Sequence, residues 1–205
     1  MTDVRTIDVA GLKPYEISSQ HPLWWGQFMF VFIEGTMFAI LIGAYFYTRL
    51  RMDVWPPPGD QFPHRWLPSF NLIPLILSCI GTYWASEAAK KDSRPGMLGG
   101  LALNLILAGI ALWLRIVEWH SLNFNWMTDA LGSYVWAFLG LHTFDYIADL
   151  VYTGVLFLII LSGRYGPKQR LGVHVDSIVW YFLVAIWIPL YIVIYWGPVI
   201  VETQQ

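Results

Sequence analysis

Ionisable side chains interrupt the long apolar stretches of this 205-residue chain, and they are its candidates for chemistry. His142, Asp145 and Asp149 stand at offsets of three and seven residues, so a helix carries them on one face, within about 60°. Imidazole and carboxyl groups at membrane depth build proton relays. They also hydrogen-bond neighbouring helices together or pair with a basic group of a partner protein. The sequence leaves these three interpretations of the polar stripe open.

A carboxyl group also lies in the first apolar stretch, where Glu34 stands about ten residues from its start. A charged group at membrane depth costs roughly 2.5 to 3.5 kcal/mol, so it needs a partner or a purpose. The first stretch enters from the side on which the fourth ends. We therefore expect Glu34 to approach the inner half of the polar stripe near mid-membrane.

Four further ionisable residues lie toward the ends of the third and fifth stretches. Arg115 and Glu118 are three residues apart, which predicts a local ion pair near the membrane interface. His174 and Asp176 are two apart and do not face each other, so we expect their side chains to reach toward water.

The types and spacing of these residues do not match a known metal site or catalytic centre. The five histidines and the single cysteine, Cys79, are scattered and show no ligand spacing such as that of an HExxH helix. The sequence therefore predicts no catalytic centre, no cofactor site and no metal site within this chain itself.

The elements that position these residues are five apolar stretches, each long enough to cross a membrane as a helix. Hydrophobic residues make up 57% of the chain and charged residues 13%, which excludes a water-soluble globule. Because unpaired backbone is costly in lipid, the predicted fold is an all-α integral membrane bundle of five helices. A polar tail of residues 1–22 precedes one domain, residues 23–200, with predicted spans at 24–48, 67–88, 97–118, 133–162 and 177–200.

Basic residues are unequally divided between the two ends of the predicted bundle. Only Arg49, Arg51 and Arg65 lie at one end, whereas Arg5, Lys13, Lys90, Lys91, Arg94, Arg164, Lys168 and Arg170 lie at the other. The positive-inside rule then predicts a cytoplasmic N-terminus and an external C-terminus. The net charge of -2 excludes a general nucleic-acid surface.

Short aromatic and proline motifs follow one another in a definite order along the chain. The first span holds Phe32-Ile33-Glu34 and Ala44-Tyr45-Phe46, and Trp55-Pro56-Pro57-Pro58-Gly59 follows it in a loop predicted to be external. Later come Leu67-Pro68-Ser69-Phe70-Asn71, Leu77-Ser78-Cys79-Ile80-Gly81, Glu118-Trp119, Gly140-Leu141-His142, Val179-Trp180-Tyr181-Phe182 and Ile194-Tyr195-Trp196-Gly197. In order and spacing, over roughly residues 23–197, these motifs resemble subunit III of the haem-copper respiratory oxidases, in its five-helix bacterial form.

The chain departs from the family pattern at several points. Longer members have seven helices and hold lipid in a cleft that their first two helices help to form; this chain lacks those two. Asp145 stands where the family commonly has a second histidine, and Asp176 is one position out of register with an expected aspartate.

The resemblance implies an accessory, non-redox subunit of a proton-pumping terminal oxidase, which transfers electrons from cytochrome c or quinol to oxygen. It implies haem and copper in partner subunits, contact with catalytic subunit I and other oxidase subunits, bound phospholipid, and a place in the bacterial inner membrane. Glu34, His142 and Glu118 are the family-equivalent positions. The alternatives are a subunit accompanying a nitric oxide reductase, a free-standing proton or cation channel or transporter, and an assembly factor.

Overall fold

A computed structural model of the chain describes residues 21–57, 63–122, 124–164 and 166–197. This part of the chain forms α1 (Pro22–Arg51), α2 (Trp66–Lys90), α3 (Arg94–His120), α4 (Ala130–Leu161) and α5 (Pro167–Tyr191), and it contains no strand. A π-helical turn, Ile192–Trp196, continues α5. Even the 25-residue helices span about 37 Å, more than the roughly 30 Å hydrocarbon core. All five helices are apolar enough to cross a membrane, so the prediction of an all-α multi-pass protein is confirmed.

Local sequence decides where the helices begin. The Ser93 and Asp129 side chains cap α3 and α4, where they accept hydrogen bonds from the Gly96 and Gly132 N–H groups at 3.4 and 2.8 Å. α5 begins at Pro167, ten residues before the span predicted from position 177. Proline is favoured at the first helical position because its missing N–H would have no partner there. The polar first turns of α5 carry little hydropathy signal, although they are helical.

α2 and α3 form the most extensive helix contact of the described chain. Their backbones meet at Gly81 and Gly100, where a Cβ atom on Gly81 would lie 2.6 Å from the Asn104 nitrogen and 2.8 Å from the Gly100 carbonyl oxygen. Small residues at a crossing allow this close approach, which supplies the van der Waals contact that holds membrane helices together. The Asn104 side-chain amide also donates a hydrogen bond to Thr82 Oγ1 across the same contact.

α5 forms the centre of the main core and packs against α1, α2 and α4. Trp180, Leu183, Trp187 and Leu190 of α5 are all almost fully buried. The indole N–H of Trp180 donates to Ser78 Oγ of α2 at 2.9 Å. Because α5 packs against three other helices, it contacts polar groups on several of them.

α1 lies at the edge of the bundle, where it packs against α5 and α4. Only its Phe38 and Tyr45 are buried, whereas Phe32 and Ile33 are each 65% exposed. The Tyr134 hydroxyl of α4 contacts the C-terminal half of α1, because it donates to the Ala44 carbonyl at 3.0 Å and lies 2.7 Å from Thr48 Oγ1. Much of the α1 surface is therefore apolar and faces away from the other helices.

Replacement of Gly81 by valine should separate α2 from α3, because the new side chain would overlap the backbone of the facing helix. We expect a loss of about 1–3 kcal/mol in the free energy of unfolding. Thermal unfolding of the detergent-solubilised chain, followed by circular dichroism, would measure it. Gly109→Val is the matched control, since a Cβ there meets nothing within 4 Å. Equal unfolding midpoints for the two variants would contradict the glycine crossing.

Candidate functional site

A buried ion pair lies near the end of α3. Arg115 Nη1 is 3.5 Å from Glu118 Oε2, and both residues are buried, with exposed fractions of 4% and 1%. The guanidinium carbon of Arg115 lies 3.5 Å from the centroid of the Trp187 ring, and the Tyr195 hydroxyl donates to Glu118 Oε1. The predicted pair is therefore present. Trp187 of α5 and Tyr195 of the π-helical turn cover the two charges, and the expected place of the pair near the membrane interface stays a prediction.

A change from α-helix to π-helix at the end of α5 places the Tyr195 hydroxyl beside Glu118. Tyr195 belongs to the π-helical turn, which begins three residues after Pro189. Proline has no N–H to donate, so it interrupts the regular hydrogen-bond pattern of α5. Short π-helical segments occur frequently at functional sites because they shift side chains relative to the α-helical register. Here the shifted segment presents Tyr195 to Glu118.

His142 belongs with this buried group rather than with the aspartates of its own helix. Its Nε2–H donates to the Leu183 carbonyl oxygen of α5 at 3.0 Å, and its ring centroid lies 4.7 Å from that of Trp187. A cavity of about 10 Å³ beside it is also lined by Asn71, Arg115 and Thr143, which is space for about one water molecule. The three residues of the predicted stripe lie on one uninterrupted helix, but His142 lines this small cavity and the two aspartates line a different one.

A second polar region, which we call the acidic cleft, lies between α1, α4 and α5. Its carboxyl groups are those of Glu34, Asp145, Asp149 and Asp176, and its volume is about 350 Å³. Phe30, Phe144, Tyr152 and Val179 are among the side chains that complete its walls. The expected approach of Glu34 to Asp145 and Asp149 therefore occurs, and α5 adds Asp176 to it.

The expectation that Asp176 reaches toward water is wrong. Asp176 is 4% exposed and accepts hydrogen bonds from Thr153 Oγ1 of α4 at 3.0 and 3.2 Å. Because α5 begins at Pro167, Asp176 lies about two and a half turns inside the helix and faces α4. The neighbouring His174 is half-buried, and its Nδ1 lies 2.9 Å from Ser86 Oγ of α2.

The loop predicted to be external is described only in part. Trp55 packs edge-on against Tyr45, with ring centroids 5.6 Å apart, and Pro56 and Pro57 follow it outside any helix. Gly59 lies outside the described residues. The described part of this motif therefore packs against the C-terminal end of α1 through Trp55.

Several contributors to these two regions were missed by sequence reasoning. They are Thr153, Trp187, Tyr195 and Asn71, none of which carries a formal charge. A Thr four residues after Asp149 on one helix face was the available signal for Thr153. In the residues that the structure describes, no group of three or more His, Cys, Asp or Glu side chains is arranged to hold a metal ion.

Known proteins resemble this chain over most of its length. It matches the family described as Cytochrome c oxidase subunit III over residues 8–199. It is 27% identical to the cytochrome c oxidase subunit 3 of Thermostichus vulcanus over 171 residues, which are 83% of this chain and 85% of the relative. The subunit 3 of Saccharomyces cerevisiae is 28% identical over 180 residues, 85% of this chain and 67% of the relative. That of Schizophyllum commune is 27% identical over 182 residues, with coverage of 84% and 67%.

Replacement of Glu118 by alanine should destabilise the bundle strongly, because it leaves the Arg115 charge buried without its carboxylate. We expect a loss of about 3–5 kcal/mol in the free energy of unfolding. The paired variant Arg115→Met/Glu118→Leu should recover much of it, since it removes both charges and keeps apolar volume. Thermal unfolding in detergent would compare the two.

The control for this prediction is Lys90→Ala, which breaks the solvent-accessible Lys90–Glu87 pair of 2.6 Å. Exposed pairs contribute about 1 kcal/mol or less. Similar losses for Glu118→Ala and Lys90→Ala would show that the buried pair has no special weight.

Proposed function

The chain belongs to the cytochrome c oxidase subunit III family, and from that premise we propose that it supports catalytic subunit I of a proton-pumping terminal oxidase. As a member of this family it is an accessory membrane subunit of a haem-copper oxidase. The observation that carries the proposal is the extent of the family match, which includes all five helices and both polar regions. The complex would transfer electrons from cytochrome c or quinol to oxygen, with haem and copper in its partner subunits.

The internal bonding of the bundle supports a scaffolding role. His142 of α4 bonds to the Leu183 carbonyl of α5, and the Tyr146 hydroxyl of α4 donates to the Ala108 carbonyl of α3 at 2.9 Å. Because these bonds join different helices, they hold α3, α4 and α5 in one arrangement. A subunit held in this way offers a stable surface to a neighbour that undergoes repeated redox turnover.

The α1 surface supports contact with subunit I or with phospholipid. Phe32, Ile33, Met37 and Ile40 of α1 line a shallow apolar groove of about 460 Å³. Apolar patches rimmed by polar residues mark interaction surfaces in soluble proteins, but within a membrane an apolar face suits either a partner helix or lipid tails. We propose that this face contributes to subunit and lipid binding in the assembled oxidase.

The proposed location is the bacterial inner membrane, with the N-terminus in the cytoplasm. Basic residues at the α2–α3 and α4–α5 connections support this orientation. They are held at one end of the bundle: Arg94 Nη2 donates to the Leu161 carbonyl at 3.0 Å, and Arg170 Nη1 lies 3.3 Å from Asp92 Oδ1.

Purification of the tagged chain from its native membranes in mild detergent should test the function directly. We expect the chain to co-migrate with haem absorbance in a constant ratio, and the complex to reduce oxygen. A complex that reduces nitric oxide instead would favour the related reductase. Purification of the chain without haem-containing partners would favour a free-standing transporter and contradict the proposal.

Removal of the chain from the purified oxidase should separate support from catalysis. We expect the depleted complex to retain its haem spectrum and its initial rate of oxygen consumption, because the redox centres lie in other subunits. It should lose activity after fewer turnovers, and re-addition of the purified chain should restore its lifetime. An oxygen electrode and a visible spectrum give both readouts. Immediate loss of the haem signal on depletion would contradict a purely accessory role.

A further inference from the structure

We propose that the acidic cleft receives a lysine or arginine side chain from a transmembrane helix of another subunit of the complex. The inference rests on the proposed function, since it requires a partner subunit beside α1, α4 and α5. It adds a specific contact to that function: Glu34, Asp145, Asp149 and Asp176 together form the receptor for one basic side chain.

The charge of the cleft supports a cationic occupant. Three different helices bring the four carboxyl groups to one cavity, and none of the side chains that line it, all within the described ranges, is basic. Glu34, Asp145, Asp149 and Asp176 all line the same cavity. Like charges brought together in a medium of low dielectric oppose each other, so a positive group among them is favoured.

A buried oxygen atom points to a missing contact. Asp149 is 6% exposed, and its Oδ2 has no hydrogen-bond partner among the described residues, although it lines the cleft. Buried oxygens of Glu34 and Asp145 are in the same condition. Burial of a polar atom without a hydrogen bond costs roughly 1–3 kcal/mol in proteins. Several such atoms, on side chains that line one cavity, indicate a ligand able to donate to more than one of these side chains.

The depth of the cleft indicates that the cation comes from a helix rather than from a lipid headgroup. Asp145 lies close to the midpoint of the 32-residue α4, about 22 Å from its first residue. Headgroups lie at the edges of a hydrocarbon core roughly 30 Å thick. A lysine or arginine on a spanning helix reaches the required depth, and its apolar stem can pass the rim formed by Phe30 and Phe144.

The form of the cleft favours a long organic cation over a bound metal ion. Its volume of about 350 Å³ is in the range of sites that hold small organic groups. Metal ions require ligands that converge on one point, and in the part of the chain that the structure describes these carboxyl groups are not grouped in that way. A guanidinium or ammonium donates several hydrogen bonds in different directions, which suits carboxyl groups spread over three helices.

The first test compares the amount of chain retained by the purified, haem-containing complex. Asp145→Asn/Asp149→Asn should reduce the chain-to-haem ratio after detergent extraction by about tenfold or more, because the partner's cation loses its counter-charges. Glu87→Gln is the matched control, since its carboxyl group lies outside the cleft in an exposed pair with Lys90. Equal retention of the double variant and the control would overturn the inference.

A second test leaves all four carboxyl groups in place. A photoreactive phenylalanine analogue at Phe144, which is 72% exposed on the rim, is cross-linked in native membranes and the product is sequenced by mass spectrometry. We expect the adduct on a transmembrane helix of another subunit, within one turn of a lysine or arginine. Adducts to lipid alone, or to a helix segment without a basic residue, would overturn the inference.

The outcomes distinguish this inference from the proposed function. If the wild-type chain co-migrates with haem but the double variant is retained equally and Phe144 labels only lipid, the accessory role stands and the cleft contact is wrong. If the wild-type chain itself does not co-migrate with haem, the proposed function fails, and the inference fails with it.

Discussion

The cost of burying charge in a medium of low dielectric governs the arrangement of this bundle. Arg115 and Glu118 are both almost fully buried, and they are compatible with that position because each neutralises the other. Arg115 also contacts the Trp187 ring of α5, and Glu118 accepts from the Tyr195 hydroxyl of the π-helical turn. For the same reason, Asp176 accepts a hydrogen bond from Thr153, and His142 donates one to the Leu183 carbonyl. In the last two contacts one partner belongs to α5, and Trp187 of α5 covers Arg115, so the central position of α5 follows from the polar groups as well as from its buried tryptophans.

The helices use two different means of association. α2 and α3 approach at Gly81 and Gly100, where backbone meets backbone and dispersion supplies the attraction. Larger side chains separate α3, α4 and α5, and polar contacts join these helices. Such polar groups would be costly to leave without partners in lipid. α1 has few contacts of either kind, and its attachment depends largely on Phe38, Tyr45 and the Tyr134 hydroxyl. The contacts among α2, α3, α4 and α5 are therefore more extensive than those that hold α1.

Much of this architecture was predictable because hydropathy and helical spacing depend on local sequence alone. Five helices, the Arg115–Glu118 pair and the approach of Glu34 to the aspartates all followed from residue types and offsets. The start of α5 was misplaced because its first turns are polar, and the error put Asp176 at an end of the helix rather than inside it. Which cavity His142 lines and which Asp145 lines depends on the neighbours that α4 meets, and the periodicity of one sequence does not encode that choice.

Because α1 makes few contacts with the other helices, the side of the subunit that it covers can bind a neighbouring subunit. The two charges of the Arg115 region neutralise each other, and Trp187 and Tyr195 cover them. The acidic cleft lies between α1, α4 and α5. It contains carboxyl groups with oxygen atoms that have no hydrogen-bond partner in the described chain. In a bilayer, lipid tails cannot meet that demand, because they carry no donors. The same desolvation cost that favours the Arg115–Glu118 pair inside the subunit therefore favours the proposed cation from a neighbouring subunit at the acidic cleft.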